Sequence, residues 1–131
     1  MSDSLKAYEE KGLSEKDFSS GNAARVFTSG ASRNSDEGKF DYEGFLSPSV
    51  LKSYAAYMHK MRLLEDGTLR DSDNWQKGIP KDQYIKSMWR HFMDVWEARR
   101  SDIYVKTERV EQLNALLFNV MGLLHEELKS K

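Results

Sequence analysis

Residues 78–100, GIPKDQYIKSMWRHFMDVWEARR, decide the fold of this chain. After Pro80 the apolar and aromatic side chains recur every three or four positions, and at 100° per residue they cover an arc of about 140°. This pattern predicts a long amphipathic helix ending near Arg99 and Arg100, since cations favour a helix C-terminus. The width of the arc predicts a central position in the domain. The arc consists of Tyr84, Ile85, Met88, Trp89, Phe92, Val95 and Trp96.

Two further helices flank this one and share its period. The first begins at Ser47-Pro48, because serine caps a helix well and proline suits the first helical position. It is expected to stop at Asp66-Gly67. The other starts near Thr107 and runs almost to the carboxyl end. The sequence therefore predicts an all-α fold.

The amino-terminal third has no sustained period. A short helix is expected over residues 3–11, followed by a stretch rich in Gly, Ser, Asn and Asp. Its isolated apolar anchors predict an ordered irregular wrap over the helices rather than a flexible tail. We expect one structural unit in two segments, 1–45 for the short helix and wrap and 46–131 for the helical ligand-binding domain. The anchors are Val26, Phe27, Phe40, Tyr42 and Phe45.

Composition narrows the class of protein. The chain has 131 residues, 39% of them hydrophobic and 31% charged, which is ordinary for a globular domain. It has no cysteine, which excludes disulfides, thiolate zinc sites and a cysteine nucleophile. No apolar run approaches the ~18 residues of a membrane span, and the polar start MSDSLKAYEEKG is no secretory signal. We therefore expect a cytoplasmic protein.

The net charge of −1 gives no strong field toward nucleic acid or a membrane, so neither is expected as a partner. The charge is nevertheless uneven. Residues 44–100 carry 10 basic and 7 acidic side chains, between two acidic segments. A mildly basic middle suits a small anionic ligand.

The loop EDGTLRDSDNWQKGIP joins the first two long helices, and long loops are often functional. Within it, Asn74, Trp75 and Lys77 combine an amide, an aromatic ring and a cation, which is how proteins grip a base. A loop tryptophan can equally be a packing plug. In the wrap, Arg33 and Lys39 could reach a phosphate. The chain has no glycine-rich phosphate loop and no nucleophile–base triad.

Acidic residues offer a candidate metal site. Asp94 and Glu97 are three apart on the second long helix, and Glu108 and Glu111 are three apart on the third. If the two helices pack antiparallel, these carboxylates could meet and hold Mg²⁺ against a phosphate chain. Asp94 and Glu97 also lie roughly 150° from the centre of the apolar arc, as ordinary surface residues would.

The sequence predicts different surroundings for each histidine and for Asn114. His59 is expected to face solvent, and His125 lies near the chain end beside two glutamates. His91 falls at the edge of the aromatic arc, where a histidine is expected to be either a core residue or a site residue. Asn114 shares a face with Glu111 beside the apolar stripe of the last helix, where a ligand or another helix is expected.

Several short motifs follow one another along the chain. They are Ser29-Gly30-Ala31, Arg33, Gly38-Lys39-Phe40-Asp41, Pro48, Asn74-Trp75 with Gly78, and Arg90-His91. Together they resemble phage proteins of the dATP/dGTP diphosphohydrolase family, whose helical domain is related to the MazG-like all-α nucleotide pyrophosphohydrolases. The resemblance covers about three quarters of the chain, from Ser29 to Glu127.

The resemblance implies a MazG-like helical bundle that binds a nucleoside triphosphate, with Mg²⁺ held by carboxylates from two helices. Water would attack between the α and β phosphates and release a monophosphate and pyrophosphate. A phage protein of this kind would work in the host cell cytoplasm as a homo-oligomer, a dimer or tetramer. The matched positions are Asn74 and Trp75 in the loop, Arg90 and His91 on the central helix, and Glu111 and Asn119 on the last helix.

This sequence departs from the family pattern on two helices. The position of an expected glutamate falls near His59, and no carboxylate follows on that helix until Glu65. Gln112 and Ala115 stand where histidines usually follow the acidic residue. Nucleotide binding is thus better supported than cleavage.

Three hypotheses follow. The first, slightly favoured over the others, is a Mg²⁺-dependent pyrophosphohydrolase, with His91 and Glu111 as catalytic residues. The second is a sponge that captures a nucleotide or a host defence signal without cutting it. The third is a helical partner-binding domain with no small ligand.

Overall fold

The computed structural model describes residues 24–101 and 104–129. They belong to two compact units whose boundary lies between Phe45 and Leu46. The helix expected over residues 3–11 and the start of the wrap, residues 14–23, lie outside the described residues. Most of the described residues are helical, which confirms a predominantly helical fold.

The first unit contains a small antiparallel sheet. Strand β1 (Ala24–Val26) pairs with β2 (Ser32–Asn34), and a single turn of helix, α1 (Tyr42–Phe45), follows. Sequence analysis predicted no strands here, because strands of three residues are too short to produce an alternating pattern.

A glycine closes the turn between these strands. The φ of Gly30 is +90°, a conformation that side chains with a Cβ rarely adopt. The Phe27 N–H donates to the Ala31 carbonyl at 2.8 Å across the turn. The sheet is therefore held by local geometry rather than by an apolar face.

The second unit consists of three helices and their connections. They are α2 (Pro48–Met61), α3 (Lys81–Arg100) and α4 (Lys106–Lys129). A short 3₁₀ helix, Asn74–Lys77, lies in the loop between α2 and α3. The predicted helix starts and the predicted end of α3 are confirmed to within a residue.

The end of α2 differs from the prediction. Its start is as expected, since Ser47 Oγ accepts a hydrogen bond from the Val50 N–H at 3.3 Å. The helix stops at Met61 rather than at Asp66, because the chain turns back and pairs Leu63 with Leu69. Residues 62–70 therefore form a hairpin loop.

Helices α3 and α4 pack antiparallel. The side chain of Lys81, at the start of α3, pairs with Glu127 near the end of α4 at 3.2 Å. Further along, the Tyr84 ring lies against Gly122 and meets the Phe118 ring edge-on at 5.9 Å between centroids. Tyr84 is the only large side chain that is fully buried within the described residues.

The side of α3 that carries Trp89 and Trp96, here called its aromatic stripe, faces outward. This is contrary to the prediction that the helix is central. Trp89 is 62% exposed and Trp96 is 47% exposed. The contacts with α4 use the Tyr84 side of α3, which leaves the rest of the arc uncovered. The other exposed apolar residues of α3 are Ile85, Phe92 and Met93.

None of the helices in residues 24–101 and 104–129 is both long and apolar enough to cross a membrane.

Candidate functional site

The second unit contains a half-open cavity of about 450 Å³. Its walls come from α2, the loop after α2, α3 and α4. The lining combines apolar and aromatic side chains with polar and charged ones. The lining residues are Tyr57, Met58, Met61, Arg62, Arg70, Asp71, Ser72, Asn74, Trp75, Ile79, Ser87, His91, Phe118 and Asn119.

Trp75 is the predicted base-binding residue that lies most clearly in the cavity. The 3₁₀ helix carries its half-buried indole into the lining. The His125 ring meets the indole edge-on, with 4.7 Å between the centroids. Gly78, with φ of +116°, then turns the chain toward α3. His125 thus supports the tryptophan, which sequence analysis did not anticipate.

Two predicted amides, Asn74 and Asn119, also line the cavity. Asn119 is only 4% exposed, and its Nδ2 donates to the Ala115 carbonyl at 2.8 Å. This bond fixes the orientation of the amide. The predicted residue Asn114 lies elsewhere, since its Nδ2 donates to Ser53 Oγ at 3.0 Å and ties α4 to α2.

Helix α3 contributes two polar residues to the cavity, Ser87 and His91, one helical turn apart. The predicted site residue His91 is half-buried there. Arg90, its neighbour, is exposed and does not line the cavity. His59 is exposed, as predicted.

Sequence analysis missed two cations in the lining, Arg62 and Arg70. They lie eight positions apart on either side of the Asp66-Gly67 turn. A hairpin across that turn would have placed them together, but the helix was expected to continue to the turn. The two arginines were therefore not recognised as neighbours, because the predicted end of α2 was wrong.

The predicted cation Lys77 is held outside the lining. Its Nζ lies 3.6 Å from Oδ2 of Asp71, the one carboxylate that lines the cavity among the described residues. The predicted cations Arg33 and Lys39 belong to the first unit, where both are exposed. Arg33 stands opposite Arg25 in the small sheet.

The four carboxylates predicted as metal ligands do not converge within the described part of the chain. Asp94 and Glu97 are exposed on α3, and Glu108 lines a separate, much smaller cavity near the start of α4. Glu111 pairs with Lys60 of α2. No group of three or more His, Asp or Glu residues in the described ranges is placed to hold a metal ion.

Glu111 nevertheless lies close to the cavity wall. Burial raises the pKa of Tyr57, and the nearby Glu111 carboxylate raises the pKa further. Tyr57 itself lines the cavity. Among the four predicted ligands, Glu111 is thus one whose charge affects a residue of the cavity lining.

No protein-family model, curated protein or solved structure matches this chain. Of the short motifs and matched positions in the sequence, four residues contribute to the lining of the cavity. They are Asn74, Trp75, His91 and Asn119.

Proposed function

We propose that this protein binds a nucleotide in the cavity of the second unit. The observation that carries the proposal is that a half-buried indole and two amides, Trp75, Asn74 and Asn119, line one cavity. An aromatic face stacks on any base, and amides can donate to and accept from its edge. The volume, about 450 Å³, lies within the roughly 300–1,000 Å³ of small-molecule sites.

The resemblance to MazG-like pyrophosphohydrolases belongs to the same proposal. Its support is limited to the predominantly helical second unit and to the matched residues that line the cavity. Asn74, Trp75, His91 and Asn119 come from three different elements and contribute to one lining. A MazG-like bundle is our proposal for the finer fold class, and a phage origin with action in the host cytoplasm accompanies it.

Retention without cleavage is the form of this function that the cavity supports best. Asp71 is the one described carboxylate in the lining, and it is paired with Lys77. A site of this kind can hold an anionic ligand without placing acidic groups against its phosphates. The protein would then act as a sponge for a nucleotide or a nucleotide-derived defence signal.

Pyrophosphohydrolysis is the second candidate, and the position of Glu111 favours it. This carboxylate does not itself line the cavity, but it raises the pKa of Tyr57, which does. Cleavage between the α and β phosphates would yield a monophosphate and pyrophosphate. We derive no step through a metal, since no group of three or more His, Asp or Glu residues in the described ranges is placed to hold one.

One incubation separates the two candidates. The protein is mixed with dNTPs, NTPs and cyclic dinucleotides, with and without Mg²⁺ or Mn²⁺, and the free nucleotides are read by chromatography before and after heat denaturation. Retention predicts an intact nucleotide that leaves solution with the protein and returns on heating. Trp75→Ala should reduce this retention.

Hydrolysis predicts a monophosphate plus pyrophosphate instead. That activity should be lost in Glu111→Gln and kept in Glu97→Gln, an exposed carboxylate on α3 that does not line the cavity. If no nucleotide is retained or cleaved, both candidates are wrong. The helical unit would then be a partner-binding domain.

A further inference from the structure

We infer that Arg62 and Arg70 form the phosphate-binding part of the cavity and that the ligand therefore carries at least two negative charges there. The inference rests on the proposed function and adds the ligand's charged portion to it. It assigns the phosphates to the hairpin loop after α2 rather than to the cations that the sequence suggested.

The hairpin sets the two arginines side by side. The Arg70 N–H donates to the Arg62 carbonyl at 2.8 Å, and Leu63 pairs with Leu69. The turn between them is closed by Asp66, whose carboxylate accepts from the backbone N–H of Thr68 at 3.0 Å and from its hydroxyl at 2.6 Å. Both arginines are among the residues that line the cavity.

Each guanidinium is oriented by a backbone carbonyl. Arg62 Nε donates to the Arg70 carbonyl at 2.7 Å, and Arg70 Nη1 donates to the Met61 carbonyl at 3.1 Å. A guanidinium has about five N–H donors, so each side chain keeps about four for a ligand. Because these bonds hold the groups in place beforehand, less conformational entropy is lost when an anion binds.

Neither arginine has a carboxylate partner in the part of the chain that the structure describes. The ion pairs there involve other cations, and the one acidic residue in the lining, Asp71, pairs with Lys77. Two such oriented cations suit phosphate oxygens, which accept paired N–H bonds from arginine.

The test measures binding of deoxyadenosine, dAMP and dATP, and of the matching deoxyguanosine series, by calorimetry. In the wild-type protein the affinity should rise as phosphates are added. Arg62→Gln and Arg70→Gln should each weaken triphosphate binding by about 10- to 100-fold and leave nucleoside binding unchanged. Arg99→Gln, an exposed arginine on α3, is the matched control and should change neither.

Circular dichroism and thermal melting show whether each variant is folded. If Arg62→Gln is not folded, Arg62→Lys is used in its place, because it keeps the charge. Folded variants that keep full triphosphate affinity would overturn the phosphate assignment while the proposed function stands. Sodium pyrophosphate is the base-free probe. If it binds as tightly as dATP and depends on both arginines, the assignment holds and nucleotide recognition fails. If neither series nor pyrophosphate binds, the phosphate assignment is overturned, and the proposed function fails with it only when no nucleotide of the incubation panel is retained or cleaved.

Discussion

The ring of Tyr84 on α3 lies directly against the backbone of Gly122 on α4. A methyl group at position 122 would lie 2.7 Å from the Tyr84 hydroxyl oxygen and closer still to the ring carbons. The same ring meets Phe118, which lines the cavity. This contact between the two helices therefore sits next to the wall of the proposed site.

Gly122→Ala should destabilise the protein. Alanine favours a helix over glycine by about 1 kcal/mol, but overpacking against a buried ring costs about 1–3 kcal/mol and occasionally more. Because the clash is with a buried ring, the upper part of that range applies, and the net loss should be up to about 2 kcal/mol in the free energy of unfolding, measured in urea. In a Tyr84→Ala background, where the space is free, the same change should no longer destabilise. Equal losses in both backgrounds would contradict the contact.

Tyr84→Phe should be neutral or stabilising. The Tyr84 hydroxyl is buried and has no hydrogen-bond partner among the described residues. An unsatisfied buried hydroxyl costs about 1–3 kcal/mol, so its removal should raise stability by up to about 1 kcal/mol. Tyr54→Phe on α2 serves as the control for loss of a half-buried tyrosine hydroxyl. A clear loss of stability in Tyr84→Phe would show that the hydroxyl has a partner.

Trp75→Ala should weaken nucleotide binding far more than it weakens the fold. Stacking of a base on an aromatic side chain is worth about 1–3 kcal/mol, which is about 5- to 150-fold in affinity. Trp75→Phe should recover most of that loss, since a ring remains. Gln76→Ala changes an exposed neighbour in the same 3₁₀ helix and should have no effect. Calorimetry on the best ligand of the panel decides the matter, and unchanged affinity in Trp75→Ala would count against stacking.

The sequence was sufficient where a long period determined the structure. The apolar repeats predicted α2, α3 and α4, and Ser47 gave the start of α2. The end of α2 could not be read in the same way, because Leu63 and Leu64 continue the apolar pattern while the chain turns into a hairpin. That turn depends on contacts between residues 62 and 70, and periodicity does not report such contacts.

Because periodicity does not report such contacts, only some residues of the cavity lining were predicted from the sequence. Asn74, Trp75, His91 and Asn119 were found from residue type and motif, and they line one cavity. Arg62 and Arg70 were missed because they meet only through the hairpin. The Lys60–Glu111 pair between α2 and α4 was equally invisible, since the residues are far apart in the sequence.

Asp66→Asn should reduce the loss of stability at acid pH. Hydrogen bonds from Thr68 lower the pKa of Asp66 below its ordinary value of 3.8. The stability that this carboxylate contributes is therefore present above about pH 4 and is lost as the pH falls through the lowered pKa. Thermal melting from pH 6 to pH 2 should show a shallower decline in the variant than in the wild type. Parallel declines would mean that Asp66 does not close the turn in solution.

The exposed aromatic stripe of α3 predicts that the protein is at least a dimer. Ile85, Trp89, Phe92, Met93 and Trp96 fall within about 100° of the helix circumference, and all are at least 40% exposed. Monomers rarely leave so continuous an apolar surface in water, and a second copy can cover it. Light scattering should therefore give a mass at least twice 15.2 kDa. Trp89→Glu with Trp96→Glu should reduce the mass to that of one chain, because buried carboxylates disfavour the interface. Gln83→Glu, an exposed change about 130° from the centre of the stripe on the same helix, should leave the assembly intact. A wild-type mass of one chain would mean that this stripe is not covered by a second copy.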